Sequence, residues 1–261
     1  MRPAHYIGIT GITRPEEPGL LTLTQIQTHT KLMFGTCVSH KTLHGGTATK
    51  HPARYPDVRL LEDLMWENPA VMNLLHFNTK EPEQLVEDLN QLQLLAGPHC
   101  NGFQINMTWP NIVALEKYKT AHDKAHSIIV LQCGKRALAQ VENDPAILAA
   151  LVRTYSHVID YVLIDASGGE GEDFDVERAM DYFSALEQFE NIGFGIAGGL
   201  SADTVSRLHP LSKRFASFSI DAESKLRHPH DDSFDIGEAT KYIQNAVDLF
   251  ADRQLRHQHT Q

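Results

Sequence analysis

The sequence predicts a fold of the α/β class, a single (β/α)8 barrel, which is a TIM barrel. Short β-rich runs alternate with amphipathic stretches along the whole chain. Eight such strand–helix units fit into 261 residues, a length that this fold routinely reaches as one domain. Because no low-complexity linker divides the chain, we expect one barrel over residues 1–252 and a polar tail over residues 253–261.

The eight strands are predicted from runs rich in branched and aromatic residues. In chain order they lie near residues 5–10, 33–39, 71–77, 102–108, 127–132, 161–166, 193–198 and 215–221. Apolar residues at helical spacing predict helices over residues 84–95, 146–158, 176–188 and 237–250, the third of them capped by Asp175. A doubly wound open sheet is the alternative architecture, but the first strand ends in ITGIT rather than in the GxGxxG fingerprint of that fold.

The composition restricts the classes of partner. The formal net charge is −10, which leaves no excess of cationic side chains to neutralise the phosphates of a nucleic acid. The sequence has no apolar run long enough to cross a membrane, and it begins without the apolar core of a signal peptide. Cys37, Cys100 and Cys133 form neither a CxxC pair nor a disulfide framework. We therefore expect a cytoplasmic protein with neither a nucleic-acid nor a membrane partner.

The segment IAGGLSADT at residues 196–204 predicts a phosphate site. It is a short strand followed by Gly198 and Gly199, and Ser201 is placed to cap a helix that begins directly after this turn, with Asp203 in its first turn. Backbone N–H groups at such a turn attract anions together with the helix dipole. Since barrels usually bind phosphate in the loops after strands 7 and 8, we expect a phosphorylated ligand.

Alternation along the strands predicts a polar mouth at the carboxyl end of the barrel. In strand 4 the polar residues Gln104, Asn106 and Thr108 share one face, and the helix-facing side should be the apolar one. A barrel core built only for stability would carry branched aliphatic residues at these positions, so polar strand ends favour an active site. The same rule turns four further side chains inward, namely Cys37, His76, Asp165 and Asp221.

Two aspartates are the candidate carboxylates of this mouth. Asp165 ends strand 6, and this position favours a general acid; the alternative is a carboxylate that caps the turn or holds the glycine-rich loop containing Gly169. That loop has the freedom to cover a ligand or to be a plain connector. Asp221 could hydrogen-bond the hydroxyls or amines of a substrate, or it could form an ion pair with Lys225 or Arg227.

Four stretches of the chain carry a family resemblance. They are ITGIT at residues 9–13, LIDASGGEGEDFD at 163–175, IAGGLSADTV at 196–205 and SIDAESKLR at 219–227. Together they resemble the strand-1, strand-6, strand-7 and strand-8 segments of the phosphoribosylanthranilate isomerase family, in the ribulose-phosphate-binding group of barrels. The C-terminal part of the chain carries most of this likeness.

The resemblance implies an acid–base isomerisation of the kind used in tryptophan biosynthesis. It implies that Asp165 is the general acid, which protonates the ribose ring oxygen, and that Asp221 contacts the amine or the hydroxyls of the substrate. The residues that it implies for the phosphate are Gly198, Gly199 and Ser224.

The chain departs from the family at the catalytic base. Thr10 stands where the family has a cysteine, and a threonine hydroxyl cannot act as a base unaided, so either the base has moved or the reaction differs. Two inward residues are candidates for a relocated base: Cys37, whose alternative role is that of a small buried apolar side chain, and His76, whose alternative is to satisfy a neighbour. Thr10, Asn106 and Gly169 are expected to contact the substrate.

The segment at residues 40–57 is long for a loop of this fold, and it is basic in an acidic protein. A mobile lid that closes over an anionic ligand fits this composition, as does a solvated insertion or an oligomer contact. Cys37, His40 and His76 could also suggest a metal site, but no ligand spacing of the structural-zinc or HExxH type is present, so no metal and no other cofactor is expected. The basic residues of the segment are Lys41, His44, Lys50, His51 and Arg54.

The sequence thus predicts an isomerase whose partner is a small phosphorylated metabolite. The alternatives are a sugar-phosphate lyase or aldolase and a barrel that binds a phosphometabolite without converting it. A lyase of the Schiff-base type would need a lysine at a strand end, and the sequence shows none at the predicted ends. The oligomeric state is left open, with a homodimer as one option.

Overall fold

Eight parallel strands close into a barrel in the order of the chain, and helices connect them on the outside. The computed structural model describes residues 1–22, 31–165 and 175–258. The predicted (β/α)8 architecture is confirmed. The strands are β1 (Tyr6–Thr10), β2 (Lys31–Ser39), β3 (Val71–Asn78), β4 (Gly102–Asn106), β5 (Ile128–Gly134), β6 (Tyr161–Asp165), β7 (Gly193–Ala197) and β8 (Ser219–Ala222).

The helices begin where the sequence offers a side-chain cap. Asn111, Asp144 and Asp175 each accept hydrogen bonds from the first free backbone N–H groups of the helix that follows. The described α-helices are α1 (Glu16–Thr22), α2 (His40–Leu43), α3 (Leu61–Leu64), α4 (Leu85–Ala96), α5 (Ile112–Ala121), α6 (Lys135–Gln140), α7 (Pro145–Tyr155), α8 (Val176–Leu186), α9 (His209–Arg214) and α10 (Ile236–Gln258).

Alternation along the strands separates two apolar regions. The larger region lies between the strands and the surrounding helices, and it contains residues such as Phe103, Ile105 and Leu131. A smaller cluster fills the amino-terminal part of the barrel interior. Its members are Tyr6, Met33, Met72, Leu74, Val130, Tyr161, Leu163 and Ala197.

The interior changes from apolar to polar toward the carboxyl ends of the strands, and two glycines make room for this change. A Cβ at Gly8 would lie 2.7 Å from Oδ1 of Asp221, and a Cβ at Gly35 would lie 2.5 Å from Oγ1 of Thr10. Because these approaches are closer than van der Waals contact allows, β1 and β2 carry no side chain where the polar groups of Thr10 and Asp221 must pass.

Three details differ from the sequence-based expectations. β8 begins at Ser219 rather than near residue 215, since Phe215 and Phe218 are buried in an aromatic cluster with Phe183 instead of in the ladder. β4 ends at Asn106 rather than at residue 108. The last helix continues to Gln258, through most of the segment that the sequence suggests is a polar tail.

No helix within the described ranges combines the length and the apolar character that a membrane span requires.

The close approach at Gly8 predicts that Gly8→Ala destabilises the barrel. The added methyl group would also meet Cε of Met33 at 2.8 Å and the main-chain oxygen of Ile220 at 2.9 Å, so a strand must shift. We expect a loss of about 1–3 kcal/mol in the free energy of unfolding, measured by denaturant titration. The matched control is Gly134→Ala, where a Cβ meets nothing within 4 Å and where a change of about 0.5 kcal/mol or less is expected. Equal losses in the two variants would contradict this packing.

Candidate active site

A pocket opens at the carboxyl ends of the strands, where the sequence predicts the mouth of the barrel. Its open space is about 370 Å³. Strands β3 to β8 or the turns that follow them contribute to its wall, so the pocket lies on the axis of the barrel. The lining residues are His76, Gln104, Gln132, Asp165, Ala197, Gly198, Gly199, Leu200, Asp221, Ala222, Glu223, Ser224 and Lys225.

A chain of hydrogen bonds connects two buried carboxylates across this pocket. Oγ1 of Thr10 donates to Asp221 at 2.9 Å, and Nε2 of Gln104 donates to the other oxygen of the same carboxylate at 3.0 Å. Gln104 also contacts Oε1 of Gln132 at 3.4 Å. Nε2 of Gln132 in turn donates to Asp165 at 2.8 Å. Asp165 and Asp221 are therefore connected through the side-chain amides of Gln132 and Gln104.

The environment of Asp221 changes its acidity. Burial raises the pKa of its carboxyl group to about 7, although the hydrogen bonds from Gln104 and Thr10 act in the opposite direction. The nearby carboxylates of Glu223 and Asp165 raise it further. The ion pair that the sequence offers as the alternative role of Asp221 is not formed with Arg227, because that guanidinium donates to main-chain oxygens.

Asp165 lies at the end of β6, as the sequence predicts, and only 3% of its surface is exposed. The glycine-rich loop that follows it, including Gly169, lies outside the described residues. Asn106 is at the end of β4 and half-buried, in register with Asn78, but it is not part of the pocket wall.

The turn after β7 has the backbone that the glycines of IAGGLS predict. Gly198 and Gly199 adopt φ angles of 101° and 64°, which are favourable only for glycine. The helix expected directly after the turn is not there. Ser201 instead exchanges hydrogen bonds with Thr204 within a turn, and a short 3₁₀ helix at Val205–Leu208 follows. The α-helix dipole that the sequence predicts at this turn is therefore absent from the described structure.

The loop after β8 faces this glycine turn in the pocket. Ser224 and the exposed Lys225 both line the wall, so a hydroxyl and an ammonium group lie in the same pocket as the turn. A glycine turn, a hydroxyl and a cation are the groups that bind phosphate in proteins.

The segment at residues 40–57 is docked onto the loop after β8. The guanidinium of Arg54 is buried and donates to Asp232 at 2.9 Å, to Oε1 of Glu223 at 2.9 Å and to Oγ of Ser224 at 2.9 Å. His51 lies 3.4 Å from the same Asp232 carboxylate. The bidentate pair of Arg54 and Asp232 fixes the position of the Arg54 side chain. The end of the segment that contains Arg54 is therefore anchored beside the pocket.

Cys37 and His76 lie side by side in the barrel, since they are partners in the register of β2 and β3. Burial raises the pKa of the Cys37 thiol well above its usual value, and the neighbouring Glu223 raises it further. The thiol form is thereby favoured over the thiolate, which is the form that a relocated base would require.

Within the described part of the chain, two groups of side chains have donors close enough together to hold a metal ion. One is Cys37, His76 and Glu223, and the other is His40, His44 and Asp88.

Several residues of the site were missed by sequence reasoning. Gln132 is the single polar residue of an otherwise apolar β5 segment, and that isolation was the available signal. Glu223 gave none beyond its charge, because its partners Arg54 and His76 are far away in the sequence.

Comparison with known proteins shows the fold. No protein-family model matches the chain, and no curated protein sequence matches it. The catalytic domain of a hyperthermophilic chitinase from Pyrococcus furiosus superposes with a TM-score of 0.58 and 13% identity, over 97% of this chain and 96% of that one. The carboxyl transferase domain of pyruvate carboxylase from Rhizobium etli, with pyruvate, superposes with a TM-score of 0.53 and 10% identity.

The second likeness covers 96% of this chain and 49% of the other, so the chain spans about half the length of that structure. Identities this low establish a shared architecture and no shared chemistry. The chain is a (β/α)8 TIM-barrel protein with a polar pocket at the carboxyl ends of its strands.

The raised pKa of Asp221 predicts a pH-dependent contribution to stability. An ordinary aspartate has a pKa near 3.8, so between about pH 4 and pH 7 the folded protein holds a proton that the unfolded chain has released. The free energy of unfolding of the wild type, relative to that of Asp221→Asn, should fall by about 1.4 kcal/mol per pH unit in this window, and by at most about 4 kcal/mol in total.

The measurement is denaturant unfolding of both proteins in the presence of a chelator. Asp165 and Glu223 face Asp221 and are present in both proteins, so the two proteins differ only in the carboxyl group of residue 221. A difference that stays constant across the window would contradict the buried, proton-holding state of Asp221.

Proposed function

We propose that this barrel is an enzyme that isomerises a small phosphorylated sugar derivative by acid–base proton transfer, in the manner of phosphoribosylanthranilate isomerase. The observation that carries the proposal is the pair of buried carboxylates, Asp165 and Asp221, in one pocket with a glycine turn and a cationic loop. Proton-transfer groups and a phosphate-binding wall are the two components that such a reaction requires.

The phosphate of the substrate binds between the two turns. Gly198 and Gly199 offer a close backbone approach, and Ser224 and Lys225 offer a hydroxyl and an ammonium group from the facing loop. Arg54 donates a hydrogen bond to the Ser224 hydroxyl at 2.9 Å. A substrate phosphate that accepts a hydrogen bond from Ser224 therefore has the guanidinium of Arg54 nearby. This wall fixes one end of the substrate and leaves the sugar over the centre of the barrel.

Asp165 is the general acid. It lies at the end of β6, where the resemblance to the isomerase family puts the acid, and its carboxyl group faces the pocket. Protonation of the ring oxygen of the sugar opens the ring and leaves an iminium at the first carbon. Gln132 donates to Asp165 at 2.8 Å and so fixes the orientation of the carboxyl group.

Asp221 is the base that replaces the cysteine of the family. Thr10 stands in the position of that cysteine, and its hydroxyl group donates a hydrogen bond of 2.9 Å to the Asp221 carboxylate. The Asp221 carboxylate therefore lies at hydrogen-bond distance from the residue that occupies the position of the catalytic base in the family. Removal of the proton from the second sugar carbon by Asp221 gives an enolamine. The enolamine becomes the ketose when Asp221 returns this proton to the first carbon and the hydroxyl on the second carbon loses its proton to the Asp165 carboxylate.

The proton transfers balance over the whole reaction. The substrate gains a proton at the ring oxygen and one at the first carbon, and it loses one from the second carbon and one from the hydroxyl on that carbon. Asp165 and Asp221 each end in the protonation state in which they began. Cys37 and His76, the other candidates for the base, lie on β2 and β3, where the thiol form of Cys37 is favoured. They are tested below against Asp221.

Neutralising either carboxylate is expected to abolish most of the activity. Asp165→Asn and Asp221→Asn should each lower kcat/KM by about 10²–10⁴-fold, measured on phosphoribosylanthranilate and related aminoaldose phosphates. Asp181→Asn is the matched control, because that carboxylate is exposed on α8 outside the mouth, and it should retain full activity. Rescue of a tryptophan auxotroph that lacks the isomerase gives the same comparison in cells.

The other outcomes decide between the alternatives. Loss of activity in Cys37→Ala with retention in Asp221→Asn would move the base to the thiol, and the same pattern in His76→Ala would move it to the imidazole. Binding of these phosphates with no turnover in the wild type would overturn the enzyme and favour a binding protein.

A further inference from the structure

Three donor side chains at the mouth are not used by the proton transfers. Cys37 and His76 face inward from neighbouring positions of β2 and β3, and Glu223 follows β8 on the facing side of the mouth. Their sulfur, nitrogen and oxygen atoms all lie within 4.8 Å of one another. The three residues are far apart in the sequence, so only closure of the barrel brings them together.

One separation within this group has the length expected between two ligands of a tetrahedral ion. Nδ1 of His76 lies 3.6 Å from Oε2 of Glu223, which is too far for a hydrogen bond. In tetrahedral coordination, bonds of about 2.0–2.3 Å put neighbouring ligand atoms about 3.3–3.8 Å apart. The separation observed is therefore that of two ligands of one ion rather than that of a donor and its acceptor.

His76 carries an unsatisfied nitrogen into this space. Its Nδ1 atom is buried and has no hydrogen-bond partner within the described ranges, and only 9% of the residue is exposed. A buried polar atom without a partner costs about 1–3 kcal/mol, and native proteins rarely leave one without a reason. A lone-pair nitrogen between a thiol and a carboxylate is satisfied when it binds a metal ion.

Arg54 orients the carboxylate of Glu223 toward His76. Nη1 of Arg54 donates to Oε1 of Glu223 at 2.9 Å, and the other oxygen, Oε2, is the one that lies toward His76. Partners that hold a ligand through its second atom are typical of metal sites. Arg54 is in turn held by Asp232 at 2.9 Å.

The charge of the group is compatible with a divalent cation. A Cys37 thiolate and the Glu223 carboxylate would carry two negative charges. Arg54 forms ion pairs with both Glu223 and Asp232, so its single positive charge is shared between two carboxylates. Arg227 donates to the main-chain oxygens of Gly11 and Asp232. Sulfur, imidazole nitrogen and carboxylate oxygen together suit zinc and its neighbours in the first transition series, whereas Mg²⁺ and Ca²⁺ select oxygen alone.

We propose that Cys37, His76 and Glu223 bind one divalent transition-metal ion of the zinc class at the mouth of the barrel. Three protein ligands leave one tetrahedral position, as in catalytic zinc sites. Because His76 and Glu223 line the pocket, that position is accessible to water or to an oxygen of a bound substrate. The site goes beyond the acid–base isomerisation proposed above, which does not depend on it.

The second group with metal-ligand donors provides an internal comparison. Nδ1 of His40 and Nε2 of His44 lie 2.7 Å and 2.9 Å from the two oxygens of Asp88. These are hydrogen-bond distances, so the donors of this group already satisfy one another. It also contains no sulfur, and a spectroscopic signal from a thiolate separates the two groups.

The test is cobalt binding by the untagged full chain. Protein stripped with a chelator is titrated with Co²⁺, a visible substitute for Zn²⁺. We expect one ion per chain, a sulfur-to-cobalt charge-transfer band in the near ultraviolet and loss of the band on addition of Zn²⁺. Cys37→Ser should abolish the band, and His76→Ala should weaken binding by more than about 100-fold. Arg54→Gln, a positioning variant, should weaken it by about 10–100-fold and retain the band.

The matched controls are the two other cysteines. Cys100 and Cys133 are buried in the layer between strands and helices, so Cys100→Ser and Cys133→Ser should keep the band, and His44→Ala should keep it as well. A band that survives in Cys37→Ser, or a wild-type protein that binds Co²⁺ without any sulfur signal, would overturn the proposal.

Two further readouts keep the test decisive. Circular dichroism of each variant checks that it is folded, and a conservative Cys37→Asp variant should bind Co²⁺ with tetrahedral visible bands but without the sulfur band. Neither readout depends on turnover, so failure of metal binding is distinguishable from failure of the isomerase proposal.

Discussion

Asp221 carries a carboxyl group into the interior of the barrel, where an unpaired charge is costly. The mouth is organised around this group. Gly8 leaves the space that it occupies, and Thr10 and Gln104 donate the hydrogen bonds that keep it in place. Burial raises the pKa of this carboxyl group to about 7, although both hydrogen bonds act in the opposite direction. The hydrogen bonds then extend through Gln132 to Asp165, so the second carboxylate depends on the same arrangement.

Much of this architecture could be predicted from the sequence. Alternation of apolar residues fixes which face of each strand is buried, and this rule correctly turned Gln104, His76, Asp165 and Asp221 into the barrel. The length of the chain and the number of strand–helix units led to the closed barrel. Element ends were harder, because a buried apolar connection such as the one around Phe215 has the composition of a strand.

The rest of the site could not be predicted, for a physical reason. The contacts of Arg54 with Asp232, of Gln104 with Asp221 and of Cys37 with Glu223 join segments that are far apart along the chain. Their geometry follows from barrel closure, and no local pattern encodes it. The prediction of a helix directly after Gly199 is wrong because Ser201 and Thr204 hydrogen-bond to each other, and the chain forms a turn there. The base of the isomerase family, replaced here by Thr10, becomes interpretable only through its hydrogen bond to Asp221.

The structure of the protein with a bound phosphorylated product analogue tests the central claim most directly. A reduced aminoketose phosphate, which cannot return to the aldose, is the ligand of choice. The account predicts its phosphate between Gly198, Gly199 and Ser224, with the sugar carbons between Asp165 and Asp221. A ligand that binds outside the mouth, or that lies with its phosphate against the two aspartates, would contradict it.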